Sequence, residues 1–401
     1  MLIDEFSSFE NKYLFEKKYD DFSYWVYSRY AIFSYLTKLQ EGIEMSSQKM
    51  TDGLICGIKN MIINSLRYRH KIKKIGHRDL LILNHERRVL KDGYYRCIYT
   101  EQIEEHYPNS VVLERPYFYK HLKPIQTERI FYSDCVELES LIYGFLECKL
   151  KAKKYRKAKK FFEKEMSIVA PEFQHMVKQE VSVEALSEML TRLYLLYCVK
   201  RKKFEKIIQK IQPKVILEVV SYNLDCMIFN EIAYEKKINT IELQHGVMSG
   251  SIAYYYPKNV LIKQFPQKVF LFSDYWKNCI SVPLEDKNVI SVGYPYFEEQ
   301  VKKYQKINRD KNETTKVILF LSQWTIGENF SKFAVEFSNL INDKWKIIYK
   351  LHPGEYSNWK KRYPWLANSG IEVVDSLRHN IYEYFAVSNV QVGVSSTAIF
   401  E

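Results

Sequence analysis

The chain has 401 residues, of which 46% are hydrophobic and 27% charged, and its formal net charge is +12 at pH 7. This length allows two domains, each large enough for its own core, and the even mixture of acids and bases argues against wholesale disorder. The positive balance favours an anionic partner: nucleic acid, a membrane surface or a phosphorylated substrate.

Seven cysteines are scattered along the chain without a CxxC or Cys/His spacing. This pattern predicts free thiols in a reducing cytoplasm and argues against a zinc site or a disulfide framework. No basic and then apolar leader opens the chain, and no apolar run approaches the roughly 20 residues that a spanning helix needs. We therefore expect a cytoplasmic protein that is at most peripheral on the inner face of the cell membrane.

The first 210 residues predict two strands, at 79–83 and 111–113, and two long helices, at 136–167 and 174–211. A polar segment follows the first strand, and three of its residues are candidates to bind the acceptor: Glu86, Arg87 and Arg88. The two arginines could hold an anionic one. The alternative is an ordinary loop.

Eight of the twelve residues from Lys149 to Lys160 are basic. Such a run is typical of a solvated helical face. It also fits docking on anionic lipid, where each base near the surface contributes about 1 kcal/mol, or guidance of a charged glycan.

From residue 212 onward, short apolar runs alternate with amphipathic stretches. This rhythm predicts a parallel sheet with crossover helices. Strands are predicted at 215–220, 240–243, 268–272 and 289–292, and helices at 224–234 and 274–280.

A polar stretch at 306–315 predicts an interdomain linker, so that the domains are 1–305 and 316–401. In the second domain the alternation resumes. Strands are predicted at 317–321, 346–349, 371–374 and 390–394, and helices at 330–341, from 359 and at 381–385.

His352-Pro353 and Ser395-Ser396-Thr397 each come directly after a predicted strand, at what we expect to be the carboxyl ends of neighbouring strands. Ligands bind at that edge in open α/β sheets, and a helix start with hydroxyl residues favours phosphate. Proline holds the residue before it extended, which directs the His352 imidazole toward a leaving phosphate. The alternative is a surface turn with an incidental histidine.

Other residues at the same edge complete a predicted donor site. Ser322 and Gln323 follow the first strand of the second domain, Lys350 precedes His352, and Pro353 follows it. Glu401 lies five residues after Ser396 and is a candidate for the ribose hydroxyls. Because the sequence stops barely one turn into the predicted last helix, we expect the second domain to be truncated at its C-terminus.

A second candidate site closes the strand predicted at 240–243, where the sequence reads Glu242-Leu-Gln-His-Gly246. His245 is a candidate general base on an acceptor hydroxyl or a contact to the donor phosphate, and Gly246 allows close approach of a ligand. The alternative is a structural histidine.

The sequence has no DxD triplet, no GxxxxGK[ST] loop and no GxGxxG. These absences argue against a metal–nucleotide site, a P-loop enzyme and a dinucleotide dehydrogenase. Without a helix-turn-helix, zinc-finger or RRM signature, we expect no nucleic-acid partner. We expect no metal and no cofactor other than a nucleotide-activated sugar as co-substrate.

From Glu242 to Glu401 these motifs resemble bacterial GT-B glycosyltransferases of surface-polysaccharide assembly. The His-Pro and Ser-Ser elements are similar to those of sialyltransferases and polysialyltransferases. The combination with His-Gly is similar to the CDP-glycerol glycerophosphotransferases of teichoic-acid synthesis. The resemblance implies an α/β, GT-B fold with two Rossmann-like domains facing a central cleft. It also implies that His352, Ser395 and Ser396 contact the donor phosphate and that His245 acts on the acceptor side.

The sequence thus predicts a metal-independent glycosyltransferase. It would move a sugar from a nucleotide-activated donor to a glycan or glycolipid acceptor in bacterial capsule or lipopolysaccharide biosynthesis. Three alternatives stay open: a CDP-glycerol-type polyol-phosphate transferase, a nucleotide-sugar epimerase and a non-catalytic glycan-binding subunit.

Overall fold

The computed structural model divides the chain into two compact units, Met1–Gly293 (unit 1) and Tyr294–Glu401 (unit 2). At 12–13, 51–56, 68–73 and 397 only the backbone is described. The residues that the structure describes are 2–10, 12–42, 51–85, 88–116, 120–257, 260–304, 315–323, 326–376, 380–394 and 397–400.

Unit 1 begins with helices and then alternates strands with helices. Its elements before residue 212 are α1 (Leu2–Phe9), α2 (Lys12–Glu16), α3 (Tyr24–Gln40), α4 (Thr51–Lys74), β1 (Leu80–Leu83), β2 (Val89–Lys91), β3 (Tyr94–Arg96), α5 (Glu101–His106), β4 (Ser110–Glu114), β5 (Ile130–Tyr132), α6 (Asp134–Lys149), α7 (Lys153–Val177) and α8 (Val183–Ile211). Those after it are β6 (Val215–Val219), α9 (Leu224–Lys236), β7 (Asn239–Leu243), β8 (Lys268–Leu271) and β9 (Val289–Ser291), with short 3₁₀ turns between the last three strands.

Seven strands of unit 1 form one parallel sheet in the order β5-β4-β1-β6-β7-β8-β9. Numbered along the chain, this is the Rossmann order 3-2-1-4-5-6-7, and its direction reverses between β1 and β6. The strands are apolar runs such as Leu80–Leu83 because helices cover both faces of a parallel sheet. The carboxyl ends of β1 and β6 therefore form the topological switch point of unit 1.

The helix predicted at 136–167 is two helices, which is a correction. Lys151 takes a left-handed backbone conformation with φ 43°, and this ends α6 before α7 begins. The helix predicted from 174 is likewise divided at left-handed Lys178, and Ser182 caps the new helix by accepting a hydrogen bond from the backbone N–H of Ala185. Both breaks fall at lysines, which are common inside helices, so the sequence does not reveal where these helices end.

Unit 2 is smaller and repeats the same strand order. Its elements are α10 (Pro295–Tyr304), β10 (Lys316–Leu321), α11 (Gly327–Ser338), β11 (Trp345–Lys350), a 3₁₀ turn (Pro353–Glu355), α12 (Trp359–Arg362), α13 (Pro364–Ala367), β12 (Glu372–Val374), α14 (Ile381–Val387), β13 (Val390–Gly393) and a 3₁₀ turn (Thr397–Ile399). The parallel sheet runs β12-β11-β10-β13, the order 3-2-1-4, with its switch point between β10 and β13.

The fold class is confirmed: the chain is α/β, with two Rossmann-like units as in the GT-B fold. One expectation was wrong, because the strands before the His-Pro and Ser-Ser-Thr motifs are not neighbours. β10 lies between them and pairs with both.

The predicted linker at 306–315 lies, apart from Thr315, outside the described residues, so the predicted domain limits stay a prediction. No helix among the described residues is long and apolar enough to cross a membrane.

Candidate functional site

The His-Pro turn of unit 2 is fixed by a reciprocal cap. His352 precedes the 3₁₀ turn, and its Nδ1 accepts a hydrogen bond from the backbone N–H of Gly354 at 3.1 Å. The His352 backbone N–H in turn donates to the buried Glu355 carboxylate at 2.8 Å. Because Nδ1 is an acceptor, the proton of the neutral imidazole is on Nε2. The turn therefore places the Nε2–H of His352, a hydrogen-bond donor, at the end of β11.

Glu355 is itself held from two further sides. Its second oxygen accepts the Tyr363 hydroxyl at 2.6 Å. Gly327, the first residue of α11, approaches so closely that a Cβ there would overlap both the Glu355 carboxylate and the Tyr363 hydroxyl. The sequence analysis missed Glu355 and Gly327, although a His-Pro-Gly-Glu capping box was a usable signal.

The register of the sheet brings three predicted donor-binding segments to one edge. Leu321 of β10 pairs with Lys350 on one side and with Gly393 on the other. Ser322, the residues after Lys350 and those after Gly393 therefore follow three strands side by side. Ser322 is buried, its hydroxyl accepts from Tyr349 at 3.2 Å, and Gln323 beside it is half-buried.

Lys350 is a buried cation at this edge. Its ammonium group donates to the Tyr356 hydroxyl and, at 3.2 Å, to the backbone carbonyl of Ser376. Burial lowers the pKa of Lys350 to about 8, while the nearby Asp375 carboxylate opposes that shift. The lysine therefore keeps most of its positive charge at neutral pH.

The remaining predicted donor residues are less well placed. Pro353 is exposed as the first residue of the 3₁₀ turn. Ser395, Ser396 and Glu401 lie outside the described residues, and Thr397 begins a 3₁₀ turn of three residues in place of the expected α-helix. A Cβ at Gly393 would overlap Ile399, so the chain after β13 folds back tightly over the strand end.

In unit 1, His245 lies at the carboxyl end of β7 among aromatic residues. The Tyr222 hydroxyl is 3.4 Å from its Nε2, and the His85 ring is centred 6.0 Å away. The Tyr99 hydroxyl donates to the His245 carbonyl at 2.8 Å. Burial, and secondarily the charge of His85, lowers the pKa of His245 to about 3, so its imidazole is neutral at physiological pH.

The turn that carries His245 is fastened by its buried neighbour Gln244. The Gln244 amide donates to the carbonyl of Gly246 at 2.8 Å and accepts from the backbone N–H of Phe272, also at 2.8 Å. Gly246 is thus bound to the same turn as His245, and its contact with a ligand stays a prediction. Gln244 was missed because its two partners are backbone groups that no local pattern reveals.

Two carboxylic acids face each other beneath this turn, on neighbouring strands. Glu218 of β6 pairs in register with Glu242 of β7, and both are fully buried. Burial and the nearby Glu242 raise the pKa of Glu218 to about 8, and burial also raises that of Glu242. Glu242 accepts from the Ser221 N–H at 3.0 Å and the Tyr254 hydroxyl at 2.7 Å, which fixes the loop that bears Tyr222.

A small recess lies at the β1–β6 switch point. Its polar lining comprises Asn84, Arg115, Ser133, Asn223 and Asp225. The Ser133 hydroxyl oxygen is buried and has no hydrogen-bond partner among the described residues. The α9 N-terminus faces this edge, where Asn223 caps it by accepting from the Cys226 N–H. These are groups suited to a polar or anionic part of a substrate.

Of the three predicted acceptor residues, the structure describes only Arg88. Glu86 and Arg87 lie outside the described residues. The buried guanidinium of Arg88 is paired with Glu114, at 2.6 Å, and with Glu101, at 3.3 Å. Arg88 therefore stabilises unit 1, and its contact with an acceptor stays a prediction.

Among the residues whose side chains are described, no group of three or more His, Cys, Asp or Glu residues is arranged to hold a metal ion. Metal independence stays a prediction. His245 and His352 each lie at the carboxyl edge of the sheet in their own unit, and that edge is the ligand-binding edge of Rossmann-like folds.

No protein-family model and no curated protein matches the sequence. Solved structures that are similar include the UDP-GlcNAc 2-epimerase of Neisseria meningitidis bound to UDP-GlcNAc, with a TM-score of 0.38 and 11% identity over 78% of this chain and 76% of that one. The wall teichoic acid polymerase TagF has a TM-score of 0.40 and 10% identity over 87% of this chain and 75% of that one.

The UDP-GlcNAc 2-epimerase of Methanocaldococcus jannaschii, solved with UDP-GlcNAc and UDP, has a TM-score of 0.33 and 15% identity over 51% of this chain. The chain spans 62% of the length of that enzyme. Because these TM-scores and identities are low, we infer function from the residues at the two sheet edges alone.

Proposed function

We propose that this chain is a glycosyltransferase that moves a sugar from a nucleotide-activated donor to a glycan or glycolipid acceptor of the bacterial surface. One observation carries the proposal. At the switch edge of unit 2, the capped His352 turn, Ser322 and the residues after Gly393 follow three strands in register. A hydrogen-bond donor, a hydroxyl residue and the buried Lys350 cation at one edge suit a nucleotide phosphate.

In the proposed reaction an acceptor hydroxyl oxygen attacks the anomeric carbon of the donor. The bond from that carbon to the phosphate oxygen breaks, and its electron pair stays on the nucleotide phosphate. The Nε2–H of His352 and the ammonium group of Lys350 stabilise the charge that develops there. The acceptor proton passes to a general base.

His245 is our candidate for that base, because its neutral imidazole is able to accept a proton. Its low pKa makes it a weak base in the free protein, so the proton transfer must be assisted by the charge of the bound donor. Tyr222 and Tyr99 orient the imidazole and the turn that carries it.

The first experiment is a thermal-shift comparison of CMP, CDP, UMP, UDP and GDP with the wild-type chain and with His352→Ala. We expect one nucleotide class to stabilise the wild type and the variant to lose that stabilisation. Replacement of His106, which is exposed on α5, is the matched control and should leave the shift unchanged. No shift with any nucleotide would overturn the donor site and favour a non-catalytic glycan-binding subunit.

Turnover with the identified donor then tests the reaction class. Loss of the His352 contact should lower turnover on the order of 10²-fold. Release of the nucleotide diphosphate or monophosphate, with no phosphate in the product linkage, supports sugar transfer. Phosphate in the linkage, with release of CMP, would assign a CDP-glycerol-type transferase instead. Conversion of the donor without any acceptor would assign an epimerase.

A further inference from the structure

Helix α6 has an apolar side that no described part of the chain covers. Four of its residues are large, hydrophobic and 40–62% exposed, and Leu150 directly after it is 71% exposed. The four are Leu141, Ile142, Phe145 and Leu146. The opposite side of α6 packs on α8. α6 therefore has an apolar side in addition to the one that packs inside unit 1, and this exposed side calls for a partner.

Helix α4 packs beside α6 and has a stripe of the same kind. The Asn64 amide of α4 donates to Asp134 at the start of α6, at 3.1 Å. The exposed apolar residues of α4 are Ile58, Ile62, Ile63 and Leu66, with Leu66 72% exposed. We call these four, together with Leu141, Ile142, Phe145, Leu146 and Leu150, the apolar face. Isolated exposed hydrophobic residues need no explanation, but eight on two neighbouring helices, with Leu150 directly after one of them, mark an interaction surface.

Cations border the apolar face where α6 ends. Lys149 places its ammonium group 5.6 Å from the centre of the Phe145 ring. No acidic residue occurs between Glu147 and Glu163. We call the exposed bases of this segment the basic rim: Lys149, Lys151, Lys153, Arg156, Lys157 and Lys160.

We propose that the apolar face and the basic rim together dock the chain on an anionic lipid bilayer. Apolar side chains beside a row of cations are the combination that binds the headgroup region of such a membrane. A second copy of the chain is the less favourable occupant. A two-fold symmetric dimer through this surface would pair the same patch with itself and offer the basic rim no anion, whereas an anionic bilayer does.

This surface places the chain where a lipid-linked glycan acceptor would be found, but it is independent of the proposed reaction. Membrane docking would persist if the nucleotide experiments failed, and nucleotide binding would persist if docking failed. The two proposals are therefore tested separately.

Flotation of the full chain with vesicles tests the docking. We expect binding to equimolar phosphatidylcholine and phosphatidylglycerol to be at least about tenfold stronger than binding to phosphatidylcholine alone. Both Phe145→Ser/Leu146→Ser and Lys153→Glu/Lys157→Glu should lower binding to the anionic vesicles by at least about tenfold. Circular dichroism and Tm establish that each variant is folded.

Two matched controls lie in unit 2. Leu340→Ser alters a leucine that is 82% exposed, and Lys360→Glu/Lys361→Glu reverses two exposed charges. Both should bind anionic vesicles as the wild type does. Hydrogen exchange of the unaltered chain adds a measurement that needs no variant: anionic vesicles should slow exchange at 141–150.

Three results would overturn the proposal. The wild type could fail to bind anionic vesicles, or the Phe145/Leu146 variant could bind them undiminished. Light scattering could instead show a dimer that the same variant dissociates, which would assign the surface to a second copy of the chain.

Discussion

The two sheets share the strand order 3-2-1-4, but each holds the histidine at its carboxyl edge in a different way. In unit 2, His352 is fixed by Gly354 and Glu355, which lie within three residues of it in the chain. In unit 1, the neighbours of His245 are His85, Tyr99 and Tyr222, which come from segments 23 to 160 residues away. A local cap is readable in sequence and depends on few contacts, whereas the aromatic surroundings of His245 exist only after the sheet has formed.

The two edges also differ in charge. Unit 2 presents the Lys350 cation to its edge. Unit 1 has a neutral histidine above Glu218, whose raised pKa keeps it largely protonated at neutral pH. A cation beside the His352 turn suits a leaving phosphate, and a neutral imidazole at the His245 turn suits proton transfer from a hydroxyl nucleophile. The following predictions test this division, beginning with the largest expected effect.

Glu355→Ala should break the local cap of unit 2. It leaves the His352 N–H and the Tyr363 hydroxyl without their acceptor in a buried place, and each unpaired group costs about 1–3 kcal/mol. We expect the free energy of unfolding of unit 2 to fall by about 2–4 kcal/mol in urea denaturation. Glu328→Ala, which removes an exposed ion pair to Lys332, should cost less than about 0.5 kcal/mol. Equal effects of both variants would refute the role of Glu355.

Gly327→Ala should destabilise unit 2, against the helix propensity of alanine. The new methyl group overlaps Glu355 and Tyr363, and such overpacking costs about 1–3 kcal/mol. Gly144→Ala in α6 is the matched control. Its nearest neighbour would be Leu196 at 3.8 Å, so propensity should stabilise the chain by up to about 1 kcal/mol. The sign of the two changes in Tm decides the test, and the same sign for both would contradict the close approach at Gly327.

The strands after residue 212 and the fold class were predictable because short apolar runs and amphipathic helices alternate regularly there. The boundaries within the helices of unit 1 were not, because Lys151 and Lys178 end helices through backbone conformation alone. Strand order was also beyond the sequence. The position of β10 between β11 and β13 depends on pairing between residues that are 29 and 72 positions apart in the chain. Because β10 lies between these two strands, Ser322 at its end lies between the two motifs.

The candidate site was predictable only where its contacts are local. His352 and Ser322 are recognisable because each directly follows a strand. Gln244, Glu242 and Tyr222 act through backbone groups and through side chains far along the chain, and their residue types are not unusual for buried loops. Arg88 was expected to hold an anionic acceptor because it follows the end of a strand. Its guanidinium is buried between two carboxylates of unit 1, which the sequence did not reveal, and its role at an acceptor stays a prediction.

Glu218→Gln should change how stability depends on pH. The pKa of Glu218 is about 8 in the folded chain and 4.5 as its ordinary value, so between these values the folded state holds a proton that the unfolded state releases. The free energy of unfolding therefore falls as pH rises through this window. The glutamine variant lacks this loss, so its free energy of unfolding should fall less than that of the wild type between about pH 5 and pH 8. Exposed Glu180→Gln should follow the wild type, and parallel profiles for all three chains would reject the buried acid.

His85→Gln is the smallest change and separates the two causes of the low pKa of His245. Burial is the larger cause and stays in place, while the charge of His85 is the smaller one and is removed. The pKa of His245 should therefore rise but remain below 6.5, the ordinary value for histidine. An NMR titration of the imidazole signals measures this, with His106→Gln on α5 as a control that leaves His245 unaltered. A pKa restored to its ordinary value would show that the charge of His85, and not burial, is the main cause of the low pKa of His245. The two edges would then both owe the properties of their sites mainly to a nearby charge.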